Sequence, residues 1–269
     1  MKIWVQSMSS YRFDPIFDDY GRIIEEQCKR AVRPGTEVYV TGVPKLMKGM
    51  TDKYKSVMTY HNIQNLNNML KAQEQGYDAF FITCSFDVGM EEGREMLEIP
   101  VVGLAHASLF MAAMLGELFA IVTCEPYIAE RYRQMVTRYG LVQKFLQGPY
   151  VAPISEWELA ESLGKDTSDV AEKFKVVARK AVAEGASVIV PVPAVISQLF
   201  GKEGGLTKLD GATVLDPITV GVKMAEMMID LKKLGIEVSR TLQVGGSLGK
   251  EAMDACLETY SSLYNFDNM

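Results

Sequence analysis

Short apolar runs alternate along the chain with longer stretches of mixed polarity. The apolar runs cover residues 3–6, 37–41, 79–83, 101–104, 119–123, 188–192 and 213–215. Runs of strand length with little polar face fit strands buried on both sides. Between them, residues 15–32, 57–75, 90–97, 109–115, 128–139, 168–184 and 220–234 read as helices. Such alternation predicts βαβ units, hence an α/β fold with mostly parallel sheets. Ligands of open parallel sheets bind beyond the carboxyl ends of the strands. Residues just after each apolar run are therefore the candidates for chemistry. The stretches 147–155 and 201–211 read as loops. Residues 251–264 read as a last helix, after a turn at 245–249.

A repeat divides this pattern. Lys71-Ala72 and Gly76 match Lys180-Ala181 and Gly185 in spacing, and each set leads into a strand. Cys84 and Pro193 stand at the same distance after the two glycines. Each glycine suits the left-handed end of a helix. The strand at 100–103 has a counterpart at 212–216. Two similar α/β halves facing each other would bring Cys84 and Pro193 to matching strand ends.

Composition narrows the chemistry. The chain has 269 residues, with 28 Lys and Arg against 34 Asp and Glu, a net charge of −6. An acidic chain without a basic patch argues against a nucleic-acid partner. No apolar run approaches the ~20 residues of a membrane span, and the N-terminus turns polar too soon for a signal peptide, so a cytoplasmic protein without a membrane partner is expected. Cys28, Cys84, Cys124 and Cys256 form no CxxC pair, which leaves no zinc-site spacing. Only two histidines, His61 and His106, are present. Thiol, carboxylate and hydroxyl chemistry remains. Gly245 to Gly249 is no dinucleotide fingerprint, because no strand precedes it. The 16 methionines suit core or interface filling.

Cys84 follows the apolar run 79–83 and precedes Ser85-Phe86-Asp87 and a helix. A thiol near helix N–H groups forms thiolate more readily, and thiolate is a proton carrier or nucleophile. Asp87 would orient the loop or cap a helix. The residues alone equally fit a buried structural cysteine beside a capping aspartate.

The block from Cys84 through Asp87, Gly103 and His106 to Ser108 resembles the Asp/Glu/hydantoin racemase superfamily, with its closest likeness to the hydantoin racemase branch. Residues 112–123 and 214–226 are similar as well. The resemblance implies two pseudo-symmetric domains with the active site in the cleft between them, one formed by 1–104 and 212–269, the other by 105–211. It implies cofactor-independent proton transfer next to a carboxylate or carbonyl of a small molecule, an amino acid or hydantoin, with Cys84 as acid/base. Members of this superfamily use two cysteines, one from each half. Here Pro193 stands where the second belongs, and proline carries no side-chain proton. Three ways out follow: another residue serves as the second acid/base, with His106 as the candidate; a single thiol works as a decarboxylase, isomerase or hydrolase; or the chain only binds a small acid. The family pattern also implies substrate contacts at Gln6 and Ser9 after the first strand, at Ser85 and Asp87, at Thr123 and Tyr127 after the fifth apolar run, and at Pro193 and Asp216. No cofactor or metal is expected, the partner is a small carboxylate or cyclic amide, and a homo-oligomer is expected.

Overall fold

The computed structural model describes residues 1–46, 53–155, 158–159, 162, 165–199, 205–239 and 248–264. All seven expected strands form, and they build two sheets. The first holds β1 (Lys2–Gln6), β2 (Glu37–Thr41), β3 (Ala79–Ile82) and β4 (Val101–Gly103), in the order β2-β1-β3-β4, all parallel. The second holds β5 (Phe119–Thr123), β6 (Tyr150–Val151), β7 (Val188–Pro191), β8 (Lys208–Leu209) and β9 (Ala212–Val214), in the order β6-β5-β7-β9-β8. β8 alone runs antiparallel. Sheet positions β2-β1-β3-β4 and β6-β5-β7-β9 repeat the same order of first, second, third and fourth strand. The sequence repeat is thus a repeat of topology.

Strands β3, β5 and β7 have only buried residues. Both faces of each must therefore be covered, which is why their sequences lack a polar stripe. Helices α1 (Asp18–Ala31), α2 (Lys55–Glu74) and α3 (Met90–Met96) serve the first sheet; α5 (Pro126–Arg138) and α6 (Ser168–Ala183) serve the second. α4 (Leu104–Leu115) starts ahead of the expected 109, because Asp87 caps it from a distant loop. A short helix α7 (Ala194–Gln198) follows β7 and was not read from the sequence. α8 (Pro217–Lys233) and α9 (Lys250–Tyr264) complete the chain. Among the described residues no helix is long and apolar enough to cross a membrane.

Two details correct the sequence reading. β6 and β8 lie inside stretches 147–155 and 201–211 expected to be loops; two-residue strands are too short to show a period. Residues 201–204 of the second stretch, and 245–247 of the expected turn, lie outside the described residues. Second, the resemblance places residues 212–214 with the first half, but β9 hydrogen-bonds to β7 in the second sheet. The helix after it does cross over. Ile218, Val222, Ala225 and Ile229 of α8 enter the core of the first sheet with Val5 and Phe81. α4 crosses the other way: Ala105, Leu109 and Ala112 pack into the core of the second sheet. Each half thus lends its last helix to the other sheet, and α4 lies along α8. Gly221 lets α8 approach β3, since a Cβ there would fall 2.1 Å from the Phe81 ring. This exchange fixes the carboxyl ends of β3 and β7 against each other.

Candidate active site

Cys84 and Pro193 stand at the same offset, two residues beyond β3 and β7. The two strand ends are tied directly: the Ala194 amide donates to Ser85 Oγ at 3.1 Å. Cys84 is 6% exposed, Ser85 6% and Cys124 5%, so the junction is enclosed. Phe86 packs against the cores of both sheets. The Val192–Pro193 bond is cis. None of the four cysteines forms a disulfide. Burial beside Asp216 pushes the Cys28 thiol far up, which leaves it inert.

Asp87 holds the loop that carries Cys84. Its backbone is left-handed, φ +50°. Its carboxylate accepts from the amides of Ala105 at 2.8 Å and His106 at 2.7 Å, and from the Tyr139 hydroxyl at 2.9 Å. These amides are the first open donors of α4, whose own N-cap position, Gly103, has no side chain to offer. A Cβ on Gly103 would lie 2.4 Å from the Asp87 carboxylate. Asp87 therefore caps a helix, but α4 rather than the α3 that follows it. Burial raises its carboxyl to about 6, against the lowering effect of its three donors and Arg94.

His106 lies in the first turn of α4. Its ring sits 4.8 Å from Phe110 and edge-on to Tyr139 at 5.2 Å. Burial and nearby Arg94 push it down to about 4. At neutral pH the ring is uncharged and has no imidazolium proton to give. An uncharged ring can act as a base but is a poor acid.

The other expected contacts divide. Thr123, at the end of β5, is fully buried with no partner on Oγ1. Tyr127 opens α5 and lies 5.8 Å beneath the Arg131 guanidinium, which also covers Phe86 at 4.7 Å. Gln6 is used internally: Oε1 accepts from Trp4 Nε1 and Asn68 Nδ2, and Nε2 donates to the Ser7 carbonyl. Ser9 Oγ meets Ser7 Oγ and accepts from the Tyr11 amide. Asp216 caps α8, accepting from the amides of Ile218 and Thr219, and also holds Gln27 Nε2 at 2.8 Å. These three shape the strand ends with polar atoms that are already engaged. Among the described residues no three His, Cys, Asp or Glu side chains gather as metal ligands.

Sequence reasoning missed Tyr132. It lies on the α5 stripe Ile128, Tyr132, Val136, which is wholly buried. A tyrosine on a core stripe carries a hydroxyl inward, and that was the available signal. Its hydroxyl is buried and makes no hydrogen bond of good geometry, yet it feels Asp87, Cys84 and Ser85.

Comparison with known proteins agrees with this architecture. The family model described as Asp/Glu/Hydantoin racemase matches residues 18–225. A hydantoin racemase from Pseudomonas sp. (strain NS671) is 29% identical over 213 residues, 78% of this chain and 81% of that one. Allantoin racemase from Klebsiella pneumoniae superposes with a TM-score of 0.73 at 25% identity, covering 93% of this chain and 95% of the other. Allantoin racemase from Pseudomonas fluorescens gives 0.75 at 22%, covering 93% and 98%, a likeness of fold. The chain belongs to the Asp/Glu/Hydantoin racemase family.

Proposed function

We propose that this protein is an isomerase that inverts the carbon between nitrogen and carbonyl in a 5-substituted hydantoin or related cyclic ureide, with Cys84 as its single base. The observation that carries this reading is the placement of Cys84 at the enclosed junction of the two strand ends, opposite a proline. The thiolate takes the ring C5 proton: the C–H bond breaks, its electron pair forms a C=C bond, and the carbonyl π pair moves onto oxygen. The planar intermediate has lost its handedness. With Pro193 opposite and His106 uncharged, the same thiol returns the proton, and inversion needs the planar ring to turn or to leave and be protonated by water.

Beside Cys84, the Ser85, Phe86 and Tyr132 side chains are neutral, and the Arg131 guanidinium lies 4.7 Å over the Phe86 ring. Asp87 is turned toward α4. The hydroxyls of Ser85 and Tyr132 can serve the carbonyl and N–H groups of a cyclic amide. The named relatives, hydantoin and allantoin racemases, support the same class. Polarimetry on a panel tests it. Optically pure 5-substituted hydantoins and allantoin should lose rotation with enzyme, while free alanine, aspartate and glutamate should keep theirs. Racemisation of the amino acids with the cyclic compounds untouched would reject this substrate class.

A further inference from the structure

Removing the C5 proton puts negative charge on the neighbouring carbonyl oxygen, and an enclosed site needs a donor there. The backbone amide of Ala194 is already spent on Ser85. Among the described residues, the Tyr132 and Thr123 hydroxyls are buried donors without a well-formed hydrogen bond, and of the two Tyr132 is the one that feels Cys84. Its ring is fully enclosed in the second sheet's core and lies 6.2 Å from Phe86, in the loop that carries Cys84. Its hydroxyl makes no hydrogen bond of good geometry, with Ser85 as its nearest hydrogen-bonding side chain and Cys84 and Asp87 also close. Buried hydroxyls are nearly always paired, and one left without a good hydrogen bond beside the Cys84 thiol is free to pair with a ligand.

We propose that Tyr132 is a further catalytic residue, donating its phenolic hydrogen bond to the substrate carbonyl oxygen that becomes negative as Cys84 takes the C5 proton. This rests on the Cys84 reading above. Burial and the neighbouring Asp87 and Cys84 push the phenol well above its ordinary value. It therefore keeps its proton throughout. Tyr132 acts as a donor, and no proton is transferred from it. Tyr127, by contrast, lies under Arg131 near the entrance to α5.

The probe is barbiturate, a planar cyclic ureide whose carbonyl oxygens share a negative charge at neutral pH, in place of the intermediate. Calorimetric binding is compared between wild type and Tyr132→Phe, with hydantoin kinetics and thermal melting alongside. The phenylalanine variant should bind barbiturate at least about 10-fold more weakly, and its kcat should fall about 100-fold with KM little changed, as for loss of one oxyanion donor. Its melting temperature should hold or rise, because an unpartnered buried hydroxyl has gone. Equal barbiturate affinity in the two proteins overturns the proposal, as does a wild type that binds no barbiturate. A lower melting temperature with affinity unchanged also overturns it, showing a packing role. Wild-type exchange persisting in Cys84→Ala rejects the cysteine base instead, and leaves the barbiturate difference standing as the separate test of Tyr132.

Discussion

Cys84→Ala should lose hydantoin racemisation by about 10³–10⁴-fold while keeping its fold, the range set by removing a positioned general base. A thiol can both take and return a carbon-bound proton, and Cys84 carries one just beyond the end of β3. Pro193 has none, and the His106 ring, held at about 4, is a weak base. The alanine leaves a gap of one sulfur atom in a buried position, which lowers stability by only about 1 kcal/mol. Circular dichroism and melting establish the fold, and polarimetry reads the activity. Cys84→Ser should be nearly as inactive, because a serine hydroxyl does not ionise near neutrality. Substantial activity in either variant would move the base to another residue.

Asp87→Ala should be the most damaging change outside the thiol. It orphans two α4 amides and the Tyr139 hydroxyl, all in or near the core. An unsatisfied buried donor costs about 1–3 kcal/mol, and relief of the buried charge offsets part of the sum, so a net loss of about 2–4 kcal/mol is expected. Activity should fall with it, since the Cys84 loop loses its tether to α4. The pH dependence has a defined sign. The folded carboxyl is raised to about 6 from the ordinary 3.8, so the folded protein holds more protons between these values. Its contribution to stability is fully present below about 4 and is lost as pH rises through about 6. Asp87→Asn should lack that slope, which denaturant melts between pH 4 and 7 measure. A slope unchanged in the variant would assign it to another group.

The strands were legible because their burial leaves an unbroken apolar run, and β3, β5 and β7 are the clearest cases. The repeat at Gly76 and Gly185 foretold that Cys84 and Pro193 occupy equivalent strand ends, and the shared strand order bears this out. What stayed hidden was what depends on partners far away in sequence. Nothing local marks β9 as a strand of the second sheet followed by a helix of the first. α4 begins at Leu104 because of a carboxylate from residue 87, and propensity reads only neighbours. Gln6, Ser9 and Asp216 look like donors at strand ends, but their polar atoms are taken up by Asn68, Tyr11 and Gln27 across the fold. Tyr132 hid in an apolar stripe, where the period reports the ring and is silent on the hydroxyl.

The central claim is that one cysteine moves the proton on both occasions. The direct measurement runs the reaction in D₂O from one pure enantiomer of a 5-substituted hydantoin at low conversion, and determines by NMR and chiral separation where deuterium enters. A single base that exchanges with solvent should label recovered substrate as well as product, at comparable rates and only when Cys84 is present. Deuterium confined to the product, with recovered substrate unlabelled, would contradict the account and require a second acid on the face opposite Cys84.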